Sequence, residues 1–128
     1  MTDQQLTYSN VLDLLLQQIP ELRPLFDKHL KDQFGEPLQH VFFGDLTRYT
    51  IEQVRAAETN IDQNSLSVAK RILDFLEHAM NCSDGLVPEL VSVSFLENLR
   101  PGDKACQKLT TMFGPNLRRQ FDISHRQS

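Results

Sequence analysis

The chain has 128 residues, a formal net charge of −4 and two cysteines, and 40% of its residues are apolar. That length suits one domain, here taken as residues 1–128. A chain of this size can bury roughly 65–70% of the surface its unfolded form exposes, so it needs no disulfide or metal to hold a core. The net acidity excludes a nucleic-acid binder that works through bulk charge, and the longest apolar run, Leu14 to Leu16, excludes a membrane span.

In chain order the period is helical. Val11, Leu12, Leu15, Leu16 and Ile19 recur at spacings of three and four and form one apolar stripe, with Thr7 or Ser9 as the cap. Pro20 ends that helix and starts a second, in which Leu22, Leu25, Phe26 and Leu30 face inward. Pro24 is tolerated there because it lies near the first turn. Phe34-Gly35-Glu36-Pro37 breaks the pattern.

A third helix is expected from about Pro37 to Glu58. Leu38, Phe42, Phe43, Leu46, Tyr49, Val54 and Ala57 share its apolar sector, and His40, Gly44, Arg48, Glu52 and Arg55 lie opposite. Gly44 is unfavourable in a helix interior by about 1 kcal/mol relative to alanine. It therefore implies a close neighbour of the same chain, a local break with Asp45 capping a new helix, or a partner surface. Arg48 is spaced to pair with Asp45 and Glu52, and Glu52 with Arg55.

A polar connection, residues 58–65, precedes a fourth helix capped by Asn64 or Ser65. Its stripe is Val68, Ile72, Phe75, Leu76 and Ala79. Gly85 offers a stop or a turn. The segment from Pro88 to Leu99 alternates like a strand in its middle. It reads as helix because Pro88 and Glu89 suit a helix start and a lone strand would lack a partner. Arg100 to Asp103 is a turn. Short helices follow near Lys104–Phe113 and Asn116–Phe121, with a frayed tail from about residue 122. The expected fold is all-α: six or seven amphipathic helices in antiparallel hairpins, as a compact bundle or a short superhelix.

No motif names a reaction. There is no HExxH, GxSxG, GxxxxGK[ST] or GxGxxG, and no carboxylate pair is singled out by spacing. Asp74 and His78 could hydrogen-bond at i, i+4, but a surface helix contact explains them as well. Cys82 and Cys106 stand alone and read as small hydrophobes rather than a disulfide. No catalytic residue, metal ligand or cofactor is assigned. The amino end carries no secretory signal, which implies a cytoplasmic protein.

Charge layout carries more. Between Ile72 and Leu99 lie Asp74, Glu77, Asp84, Glu89 and Glu97, with no lysine or arginine, whereas the chain beyond is mostly basic. The segments HVFFGDLTRY, RILDFLEHA and VSFLENL resemble a family of small, all-helical bacterial proteins of unknown biochemistry. Some of its members serve as immunity proteins of contact-dependent growth inhibition systems. The resemblance runs from about Leu12 to Phe121 and implies an all-helical fold. It also implies a monomeric immunity protein that binds and neutralises a cognate toxin, a nuclease with a basic active site, without touching nucleic acid or membrane. The five acids are then the partner-binding candidates. The alternative is a helical adaptor with an unrelated protein partner.

Overall fold

The computed structural model describes residues 5–60 and 63–125. Among them are seven α-helices: α1 (Val11–Gln18), α2 (Arg23–Asp32), α3 (Gln39–Asn60), α4 (Gln63–Ala79), α5 (Leu86–Ser94), α6 (Lys104–Thr110) and α7 (Pro115–Ser124). Short 3-10 turns at Pro20–Leu22 and Leu96–Asn98 lead into α2 and follow α5. The described chain has no strand. The ambiguous segment after Pro88 is helical because Val87, Leu90, Val91 and Ser94, at helical spacing, are its buried positions.

Helix α3 packs against α2, α4, α5 and α6, so helices distant in sequence share one core. This is a compact arrangement around α3 rather than a run of stacked hairpins. Its buried positions are Phe42, Phe43, Leu46, Thr47, Thr50 and Val54. Full burial of each large apolar side chain contributes about 1.5–3 kcal/mol over leaving it exposed.

The threonines were not expected inside. They are accommodated because Thr47 Oγ1 donates to Phe43 O at 3.0 Å and Thr50 Oγ1 to Leu46 O at 2.7 Å, which satisfies both hydroxyls within the helix. Thr47 is covered by the end of α5, whose Ser94 and Phe95 carbonyls lie 3.3 Å from its hydroxyl. Leu38, placed inward by the period, is exposed because α3 starts one residue later. Tyr49 and Ala57 are half-buried.

Helix ends depart from the sequence reading in several places. Asn10, not Thr7 or Ser9, stands at the start of α1; its Oδ1 accepts from Thr7 N at 2.8 Å. The stop after α2 uses left-handed backbone at Phe34 (φ 57°) and Gly35 (φ 86°), and Gly35 N donates to Leu30 O at 2.7 Å. Helix α3 continues to Asn60, which shortens the expected polar connection. Helix α4 starts at Gln63, so Asn64 and Ser65 lie inside it and its cap falls outside the described residues. Gly85 has φ −60° and lies in the turn that leads into α5, the second of the two roles its position allowed. Asp103 caps α6 by accepting from Ala105 N. Residues 122–124 are helical rather than frayed.

Gly44 has an in-chain neighbour. An added Cβ would stand 3.8 Å from Asn98 Nδ2, which is ordinary contact. Helix α3 runs unbroken through it. Small size is thus not required there. Gly44→Ala should raise stability by about 0.5–1 kcal/mol, seen as a higher midpoint in urea denaturation, because alanine lowers the entropic cost of the helix.

Candidate functional site

Of the five acids, two serve the fold. Helix α7 lacks a side-chain cap of its own, and Glu77 of α4 supplies one. Its carboxylate accepts from Asn116 N at 2.8 Å and from Leu117 N at 3.0 Å, where the helix dipole favours negative charge. Gly114 makes room for it: a Cβ there would lie 2.5 Å from Glu77 Cδ. Asp84 ties the amino-terminal segment down by accepting from Tyr8 N at 2.9 Å, and it also accepts from Leu86 N at 3.1 Å.

Asp74, Glu89 and Glu97 are exposed, and none of them pairs with a described lysine or arginine. Glu89 lies on the outer side of α5 between two exposed apolar side chains, Leu86 (54% exposed) and Val93 (46%). Those three sit at i, i+3 and i+7, which places them on one helix face. Glu97 lies in the 3-10 turn that follows. Asp74 lines a different feature, a cavity of about 380 Å³ with Leu6, Leu14, Phe75, His78 and Cys82. Structure therefore groups Glu89 and Glu97 with α5 and leaves Asp74 on α4.

The histidines separate. His78 Nδ1 lies 2.8 Å from the backbone carbonyl of Asp74, not its carboxylate, so the i, i+4 spacing makes a local helix contact. His40 Nδ1 shares a hydrogen bond with Ser94 Oγ, joining α3 to α5, while its ring lies beside Tyr8. Asp45 does not face His40. It is ion-paired with Arg48, as the spacing implied, and faces His29 of α2. Arg55 pairs with Asp103 at 2.7 Å instead of with Glu52.

His29 has no histidine at i, i+4 spacing, and nothing in the sequence marks it as buried. It is 1% exposed, packed edge-on to Phe42 at 5.4 Å and stacked on Phe26 at 6.1 Å. It occupies a stripe position between Phe26 and Leu30, where a histidine in an apolar row is easily taken for a surface residue.

The cysteines are both free. Burial pushes the Cys106 thiol up, which suits a packing role. Cys82 Sγ donates to Leu6 O at 2.8 Å. In the basic tail, Arg118 donates to Thr110 O, and Arg119 Nη2 lies 3.3 Å from Asn116 Oδ1. Among the described residues no group of three or more histidine, cysteine or carboxylate side chains is placed to hold a metal ion, and no helix is long and apolar enough to cross a membrane.

A family model described as "Domain of unknown function (DUF7674)" matches residues 12–127. The chain belongs to this family. The match spans the segments on which the resemblance rested, and the family's description carries no activity. No curated protein and no solved structure shows a significant match to the chain.

The two groups of acids should separate in stability. Glu77→Ala and Asp84→Ala should each cost about 1 kcal/mol, the usual loss of a helix-end or turn cap. Glu89→Ala and Glu97→Ala should stay within about 0.5 kcal/mol. Urea midpoints of the four variants check this.

Proposed function

We propose that the protein is a non-catalytic, cytoplasmic immunity-type inhibitor, a monomer that binds a cognate toxin domain and covers its basic active site. The observation that supports this reading is the outward face of α5. There Leu86, Glu89 and Val93 are exposed together, followed by Glu97, inside a stretch from Ile72 to Leu99 that holds no lysine or arginine.

A nuclease must present cations to hold phosphate, so its active site attracts an acidic surface. Unpaired carboxylates draw such a partner in and speed encounter, and the apolar side chains add contact once water leaves. Glu77 and Asp84 belong to the same stretch of sequence, but their carboxylates are held by backbone N–H groups of the chain itself, at the start of α7 and at Tyr8, and are not offered on this face. Glu89 and Glu97 are accordingly the residues that carry the proposal, with Asp74 on α4 as an outlying contributor.

The test is association with the product of the adjacent upstream gene, taken as the candidate toxin. The double variant Glu89→Lys with Glu97→Lys should slow association about tenfold at low salt and flatten its dependence on ionic strength. Glu77→Gln should leave that rate unchanged. Stopped-flow mixing across a salt series measures both. An unaltered rate and salt dependence in the double variant would remove α5 from the interface, and absence of any complex would remove the reading itself.

A further inference from the structure

Between α2 and α3 lies a cleft of about 210 Å³ that nothing in the proposed interface uses. Its inner wall is His29, whose side chain is fully buried. Leu38 N donates to His29 Nε2 at 3.0 Å. That nitrogen is therefore the acceptor of the neutral ring, and the proton sits on Nδ1. Nδ1–H has no hydrogen-bond partner. Asp45 Oδ2 is 3.8 Å away, beyond hydrogen-bond reach, and the other carboxylate oxygen is held by Arg48.

A buried donor left unpaired is costly, and structures rarely keep one without use. The remaining wall is rich in groups that hold a small polar ligand. Lys28 and Arg48 stand at the rim, both largely exposed. Tyr49 and Leu25 are half-buried, and Glu52 lies on the solvent side.

The geometry points to a binding site for a small monoanionic carboxylate in this cleft. Its two oxygens would take the place of Asp45's, one on His29 Nδ1–H and one on the Arg48 guanidinium. Asp45 shows the fit in outline, since it already presents one oxygen to each group and reaches only Arg48. Its side chain is 28% exposed, and the site requires it to turn outward so that a ligand reaches Nδ1. A free carboxylate is not tied to α3 and can approach His29 fully. Guanidinium and carboxylate match in plane and spacing, whereas the Asp45 and Glu52 charges in the same cleft disfavour a dianion such as phosphate.

Sodium acetate is the probe, added to 15N-labelled full-length protein at constant ionic strength. Long-range 1H–15N spectra follow the His29 ring nitrogens, and ordinary amide spectra follow Leu38. Acetate should shift both saturably, and sodium chloride should not. Asp45→Ala removes the internal competitor and should tighten acetate binding about tenfold; Arg48→Gln, an exposed position, should weaken it by a similar factor, the scale of one charge-assisted hydrogen bond. If wild-type His29 ignores acetate and only Asp45→Ala takes it up, Asp45 is simply the imidazole's own partner and the site is refuted. Tighter binding of phosphate than of acetate overturns the carboxylate assignment. This outcome is independent of toxin binding, so either proposal can fail alone.

Discussion

The structure depends on hiding a sector of α3 that no single neighbour could cover. Phe42 and Phe43 are adjacent in sequence, so they point about 100° apart on the helix, yet both are fully buried. One helix packed on one side would leave one of them in water. Burying both forces neighbours onto two sides, and α2, α4, α5 and α6 supply them. The T-shaped contact of Phe42 with Phe26, at 5.5 Å, fixes α2 on one side. The hydroxyl of Thr47 beneath the carbonyls of Ser94 and Phe95 fixes the end of α5 on another. The stretch His40–Leu46 is accordingly a packing device. Its histidine reaches Ser94 and its aspartate reaches back toward α2, so the two polar groups serve different interfaces.

That central demand leaves the shorter helices with ends to satisfy and few local residues to do it. Helix α7 borrows its cap from α4 through Glu77. The amino-terminal segment is held by Asp84, and the start of α6 by Asp103, which also pairs with Arg55 of α3. Arg71 of α4 pairs with Glu21 and holds its carboxyl below the usual carboxylate range. Acidic residues thus do two kinds of work. Some close helix ends, and Glu89 and Glu97 are left facing solvent, Glu89 on the helix face that also exposes Leu86 and Val93.

Much of the helical layout was legible because apolar residues repeat at three and four positions wherever a helix buries one stripe. The stripes of α1 and α4 are buried at every position the period assigned. The period failed where burial is wide or polar. Thr47, Thr50 and His29 are buried, and no apolarity marks them; the two hydroxyls bond to carbonyls of their own helix, and the elements packed around these positions bring them inside. The division of the acids was hidden for the same reason. Glu77 and Glu89 look alike in sequence, and only the approach of α7 sets the first apart. Gly44 shows the opposite failure: its small size implied a close approach, and the nearest group to an added methyl stands at ordinary contact distance.

The functional reading comes down to whether this acidic, part-apolar face has a toxin to meet. Co-purification of the chain with the product of the adjacent upstream gene, coupled to survival of cells that express that product, tests it most directly. The account predicts a one-to-one complex and rescue of growth. A stable, folded protein that neither captures the upstream product nor protects the cells would contradict it.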